Sequence, residues 1–257
     1  MKKIKLKKTG CKVSKLCFGT GRIDKFKPEH GARLLKKAYE KGINFWDTSD
    51  DYGTHPHVNE GLKKVLKKKG VSRDNIVLIS KITRVFGEKK VKKHIKKMLK
   101  ELGTDYIDIL LLHAVDSEKE LKKYLNIIPY LKKIKAIKHI GLSSHKPNII
   151  REVADHPDIE IIMAPLNYRG FRIKYSYRDK TYSVRRGKMK RVLKKCKKNG
   201  KDIILIKIFG NGKIDKIEKA IRYGLKQKFA DCIDLGIGSM HDLKEDVKIV
   251  NRVLKEK

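Results

Sequence analysis

Eight short apolar runs alternate with eight amphipathic stretches along this chain of 257 residues. The runs are Leu16–Gly19, Asn44–Thr48, Ile76–Lys81, Ile107–His113, Ile137–Ser143, Ile159–Pro165, Ile203–Phe209 and Cys232–Gly236. Several are apolar at consecutive positions, as in Ile109-Leu-Leu-Leu112 and Ile203-Ile-Leu-Ile206. Consecutive apolar positions suit strands covered on both faces, which is the situation in parallel sheets. Helical spacing of apolar residues predicts helices over Glu29–Lys41, Asn59–Lys69, Glu88–Leu102, Ser117–Lys133, Pro147–Asp155, Arg185–Lys198, Lys213–Lys228 and Asp242–Lys255. Strand–helix units repeated eight times predict an α/β fold, a (β/α)8 TIM barrel, as one domain over residues 1–257.

Two segments break the rhythm. Residues 1–15 read as a β-hairpin turning at Thr9-Gly10, ahead of the first barrel strand. Residues 168–187 are rich in Tyr and Arg, lack apolar periodicity and read as a long loop. Loops that follow barrel strands build the active-site face, so this one is expected to overhang the site. Its Arg169, Arg172, Lys174 and Arg178 would favour an anionic substrate, although such residues are also at home in plain solvated loops.

Charge raises a competing idea. The chain has 65 Lys+Arg against 29 Asp+Glu, a formal net charge of +36. A dense positive field attracts nucleic acid and anionic membranes. Most lysines, however, lie on the polar sides of the expected helices, as in 62–69 and 91–100. A solvated Lys-rich surface, a trait also met in heat-adapted proteins, is the reading adopted, and nucleic acid is not expected as a partner. No apolar run is long enough to span a membrane, and the basic N-terminus is not followed by a signal-peptide core. Cys11, Cys17, Cys196 and Cys232 form no C-x-x-C pair and read as core residues in a reducing cytoplasm.

Chemistry concentrates at the ends of three consecutive strands. The second ends in Trp46-Asp47-Thr48-Ser49-Asp50-Asp51-Tyr52-Gly53, the third in Ser80-Lys81 and the fourth in Leu112-His113. A barrel gathers these ends on one face, bringing an Asp, a Tyr, a Lys and a His together. A Tyr hydroxyl, with a pKa of about 10, is a poor acid at neutral pH unless a cation stabilises its phenolate. Lys81 would be such a cation if the barrel brings it beside Tyr52.

With these residues in view, the chain resembles the aldo-keto reductases over nearly its whole length. The resemblance rests on Val13-Ser-Lys-Leu-Cys-Phe-Gly-Thr20, Gly42-Ile-Asn-Phe-Trp-Asp-Thr-Ser-Asp-Asp-Tyr-Gly53, Ile79-Ser-Lys81, Asp105-Tyr-Ile-Asp-Ile-Leu-Leu-Leu-His113 and Ile140-Gly-Leu-Ser-Ser-His145. It implies a barrel binding NADPH or NADH across its C-terminal face, a small-molecule carbonyl substrate and a catalytic tetrad of Asp47, Tyr52, Lys81 and His113. It further implies cofactor contacts from Gly19, Thr20, Ser143, Ser144, Asn167, Lys207, Gly210, Gly236, Gly238, Ser239, Glu245 and Asp246. Met163 stands where many relatives have a carboxamide-binding Gln, and Gly238 where many have a basic residue for the 2′-phosphate. NADPH is the expected cofactor, with Lys244 as a substitute phosphate contact and NADH as the alternative. A subgroup with similar Ser-Ser-His and Ile-Lys-Ile-Phe-Gly segments often carries a Cys-rich ferredoxin-like tail. The chain has none after its last helix, so no iron–sulfur cluster is expected.

Three other readings stay open. Lys81 and Lys207 at strand ends would suit a Schiff-base aldolase. His55-Pro-His57 with Asp47 suggests a metal-dependent hydrolase, against which stands the placement of the two histidines in a loop without further ligands. A catalytically weak barrel could also serve as a cofactor-sensing regulator or bind nucleic acid.

Overall fold

The computed structural model describes residues 1–84, 87–177, 180–183 and 185–256. Eight parallel strands close into a barrel: β3 (Leu16–Gly19), β4 (Phe45–Asp47), β5 (Val77–Ile82), β6 (Ile107–His113), β7 (Ile137–Ser143), β8 (Ile161–Pro165), β11 (Asp202–Ile206) and β12 (Cys232–Gly236). Closure pairs β12 with β3, so the last strand lies beside the first. The outer ring is α1 (Pro28–Glu40), α2 (His55–Leu66), α3 (Glu88–Leu102), α4 (Glu118–Lys132), α5 (Pro147–Glu152), α6 (Arg186–Lys198), α7 (Ile217–Leu225) and α8 (Met240–Lys255). No described helix is long and apolar enough to cross a membrane.

The period of two in each strand divides its side chains between two cores. Phe18, Trp46, Leu78, Leu110, Leu112 and Leu205 point outward into the layer shared with the helices. Cys17, Phe45, Val77, Ile79, Ile109, Leu111, Ile161, Met163, Ile204 and Ile206 fill the barrel itself. This double burial is why the strands read as unbroken apolar runs.

The expected N-terminal hairpin is present, as β1 (Lys3–Lys5) paired with β2 (Lys12–Ser14). Gly10 supplies the positive φ, 72°, that its turn requires. The hairpin closes the N-terminal end of the barrel, where its Leu6 and Val13 join the interior cluster. Asp202, at the start of β11, accepts from Lys8 N at 3.1 Å and from Thr9 N and Oγ1, both at 3.0 Å. Asn44 accepts from Ser14 N at 2.8 Å and donates to Lys12 O at 2.9 Å. Backbone amides, the Thr9 hydroxyl and the Asn44 amide thus tie this plug to the lower end of the barrel.

Several element boundaries differ from the sequence expectations. The seventh barrel strand stops at Ile206 because Lys207 turns left-handed, with φ 55°. Turns then carry the chain to Ile217, where α7 begins. Helix α2 begins at His55, with Pro56 in its first turn, so the His-Pro-His sequence is helical and not a loop. A proline at that position loses no helical hydrogen bond.

The segment 168–187 is not a plain loop. It contains a second antiparallel hairpin, β9 (Lys174–Tyr177) with β10 (Lys180–Ser183). Its alternation is Tyr with Ser or Thr, a favourable strand composition that a search for apolar periodicity overlooks. Arg178 lies outside the described residues. The base of the segment is tied to the barrel mouth, with Lys174 N donating to His145 O at 2.9 Å and Phe171 N to Asn167 Oδ1 at 3.0 Å.

Candidate active site

The four residues expected at the strand ends are brought together at the C-terminal mouth. Asp47 closes β4, Lys81 lies in β5, His113 closes β6, and Tyr52 follows in the turn between β4 and α2. Lys81 Nζ donates to Asp47 Oδ2 at 2.6 Å, to Thr48 O at 2.8 Å and to Tyr52 Oη at 3.4 Å. It is 1% exposed, and so dry a cation persists only when paired. Although burial opposes the charge, Asp47 and Tyr52 hold the Lys81 ammonium well above its usual pKa. A chain of buried hydroxyls fixes the turn behind it: Thr54 Oγ1 lies 2.8 Å from both Thr20 Oγ1 and Thr48 Oγ1.

His113 stands edge-on to Tyr52, ring centroids 5.8 Å apart. Its Nδ1 lies 3.1 Å from Ser49 Oγ and 3.6 Å from Asp51 Oδ1. Asp51 resists the cost of burial through hydrogen bonds from His113 and Ser49, which keep it well below the usual carboxylate range. Tyr52 behaves differently from the simple expectation. Burial raises its phenol, and the acidic pair Asp47 and Asp234 adds to that, so the opposing pull of Lys81 does not bring it below 10.0. Tyr52 therefore holds its proton at neutral pH.

A cavity of about 830 Å³ opens at this mouth and runs outward from Asp47, Tyr52, Met163 and Lys207 past Gly19 and Gly236 to Glu245 and Asp246. Lys207 reaches it from the left-handed turn after β11, and burial lowers its ammonium pKa. Several expected contacts lie elsewhere or are already engaged. Asn167 Nδ2 donates to Phe171 O and Lys207 O, both at 3.0 Å. Ser144 Oγ donates to Val115 O at 2.8 Å, and Ser143 ends β7 in register with His113 and Met163. Gly210, at φ 58°, is covered by the Phe171 ring; a Cβ there would lie 2.8 Å from Phe171 Cδ2. Ser239 caps α8 by accepting from Asp242 N at 3.0 Å, while Gly238 N donates to Asp242 Oδ2 at 3.2 Å. Lys244 is exposed and lies outside the cavity wall.

Two residues in the cavity escaped the sequence reading. Arg22, after β3, lies over Gly236 and Gly238: a Cβ at Gly238 would sit 3.5 Å from Arg22 Nε. A guanidinium from another element thus lies beside the glycine. The second is Asp234, in β12, which lines the cavity and whose Oδ1 is sealed without a hydrogen-bond partner. Its signal was an acid inside an otherwise apolar strand, Cys232-Ile-Asp-Leu-Gly236.

The two histidines of α2 serve separate local bonds. His55 lies 2.9 Å from Glu101 Oε2 and 3.1 Å from Ser80 Oγ, and His57 Nε2 lies 2.7 Å from Phe26 O. No group of three or more His, Cys, Asp or Glu among the described residues is arranged to hold a metal ion.

Known proteins resemble the chain in sequence and in fold. The model of the Aldo/keto reductase family matches residues 15–256. An NADPH-dependent D-xylose reductase of Meyerozyma guilliermondii is 30% identical over 106 residues, covering 41% of this chain and 32% of that protein. An L-galactose dehydrogenase of Arabidopsis thaliana is 30% identical over 186 residues, 65% of this chain and 58% of that one. The matches to the first curated relatives span 48% or less of those proteins' own lengths. A solved aldo-keto reductase from Bacillus halodurans superposes with a TM-score of 0.77, covering 99% of this chain and 96% of that one at 20% identity, a likeness of fold. The chain belongs to the aldo/keto reductase family.

Proposed function

We propose that this protein is an NAD(P)H-dependent oxidoreductase that reduces an aldehyde or ketone to an alcohol. One observation carries the reading: Lys81 joins Asp47 to Tyr52 at the inner end of an open cavity, at 2.6 and 3.4 Å. A reduced nicotinamide, when bound, supplies the hydride. Tyr52 gives its proton to the developing alkoxide, and Lys81 stabilises the phenolate left behind. Asp47 anchors Lys81, and His113, oriented through Nδ1 by Ser49 and Asp51, polarises the carbonyl oxygen.

The cavity fits a dinucleotide by its glycine-lined wall. Gly19, Gly21 and Gly236 leave the backbone bare along it. A Cβ at Gly21 would rest against the Tyr52 ring at 3.5 Å. Glu245 and Asp246 are assigned to the adenine end, and Gly238 and Ser239 to the phosphates near the start of α8. NADPH is the proposed cofactor, with Arg22 meeting the 2′-phosphate in place of the side chain that Gly238 lacks. The relatives named as NADPH-dependent reductases support the same choice. Arg22→Gln should weaken NADPH roughly tenfold and leave NADH nearly unchanged. Equal or tighter NADH binding by the unaltered protein would reverse the assignment.

Tyr52→Phe tests the reaction. Carbonyl reduction should fall by roughly 10²–10⁴ while NADPH binding, followed by fluorescence, stays intact. Retained turnover sinks the reading. A second reading rests on Lys207, whose burial favours the neutral amine needed for Schiff-base chemistry. Borohydride trapping of a carbonyl substrate on Lys207 would favour it. The free cysteines suit a reducing cytoplasm as the place of action.

A further inference from the structure

We propose that Asp234 is a positioning residue for proton donation, sharing one proton with Asp47 and so setting the charge felt by Lys81 and Tyr52. The inference rests on the reductase reading above.

Barrel closure creates the pair. Strand β3 lies between β12 and β4, with Gly19 in register with Gly236 on one side and Asp47 on the other. A Cβ at Gly19 would lie 2.6 Å from Asp234 Oδ1, so the carboxyl reaches over a bare backbone position toward Asp47. Asp47 Oδ1 and Asp234 Oδ1 are both sealed and both lack a partner. Two acceptors left in this way are rare in a folded protein. A single proton held between them satisfies both, and two neighbouring carboxyls do not readily ionise together.

The groups facing Asp234 leave room for this proton. Lys81, from β5, is committed to Asp47 Oδ2. Lys207 approaches from the turn after β11 but is in no ion pair with either carboxyl. Tyr52 and the Cys17 thiol complete the surroundings. Burial and the Asp47 charge push the Asp234 carboxyl well above the usual carboxylate range, against Lys81 and Lys207. With the proton in place, the pair carries one negative charge, matched by Lys81. Its loss to solvent at alkaline pH adds a second negative charge beside Tyr52, makes the phenolate costlier and slows proton donation.

The full-length protein and its Asp234→Asn and Asp234→Leu variants test this. Asn donates to Asp47 Oδ1 at every pH, whereas Leu leaves that oxygen unpartnered. The Leu variant should lose roughly tenfold or more in kcat with the NADPH Kd changed by less than about threefold. The Asn variant should recover most of that loss and lack the alkaline decline that Asp234 imposes on the wild type. Without any ligand, the infrared difference between wild type and Asp234→Asn should show one protonated-carboxyl band at neutral pH. Wild-type turnover of an aldehyde panel tests the reductase reading separately, because the infrared measurement needs no activity. Absence of that band, or both variants following the wild-type pH profile, overturns the role of Asp234.

Discussion

Asp202 and Asp234 stand on neighbouring strands of one barrel and face opposite fates. Asp202, at the N-terminal end, is 0% exposed and takes three hydrogen bonds from Lys8 and Thr9. Asp234, toward the mouth, keeps a sealed oxygen with no partner and a second carboxyl beside it. A carboxylate whose acceptors are filled by backbone donors is structural. One left short beside a buried cation is where a fold has given up local satisfaction for chemistry. On the reductase reading proposed above, the lower end of this barrel serves stability and the upper end proton transfer, in keeping with the general division of labour in (β/α)8 barrels.

The contrast can be broken most decisively at Lys81. Lys81→Met removes the cation that Asp47 and Tyr52 share, so kcat for carbonyl reduction should fall by roughly 10³ or more. Turnover within about tenfold of wild type would mean that the upper end does not depend on this charge.

Asp202→Ala probes the opposite end. Removing the acceptor of three bonds should lower unfolding stability by about 2–4 kcal/mol in chemical denaturation. Turnover measured well below the melting range should stay near that of the parent protein. A matching loss of kcat would show that the two ends are coupled.

Gly19→Ala sharpens the comparison within the upper end. The new methyl would lie 2.6 Å from Asp234 Oδ1 and 3.2 Å from Leu235 O, both on β12. A cost of about 1–3 kcal/mol is expected, with a change in the pH profile of turnover as Asp234 is displaced. An unchanged profile would separate Asp234 from the proton-donating residues.

The smallest effect is a pH dependence of stability from the lower half. His139 is raised from 6.5 to about 10 by a hydrogen bond with Cys11 and by Glu160, 2.8 Å away. Because the folded value lies above the unfolded one, this stabilisation is complete below about pH 6.5 and is lost as pH rises through about 10. Melting temperatures taken across that window should fall more for wild type than for His139→Gln. Parallel curves would remove His139 from the account.

Much of the architecture was legible because parallel strands buried on both faces leave unbroken apolar runs, as in Ile109–Leu112. Asp47, Tyr52, Lys81 and His113 were legible because they follow one another on consecutive strand ends. The end of β11 was not, since Lys207 takes a left-handed φ that lysine composition does not announce. The hairpin in 168–187 was hidden by its Tyr–Ser alternation. Arg22 and Asp234 were hidden for a different reason. Arg22 acquires meaning only over Gly238, and Asp234 only beside Asp47, and both neighbours are remote in sequence.

By itself, then, the sequence determined the repeating strand–helix units and the residue types at their ends, because both are local properties of spacing and polarity. Tertiary structure alone decided which carboxyl would be satisfied and which left short. Closing β12 onto β3 brings residues from the two ends of the chain within reach across Gly19, and no local pattern encodes a contact made by closure.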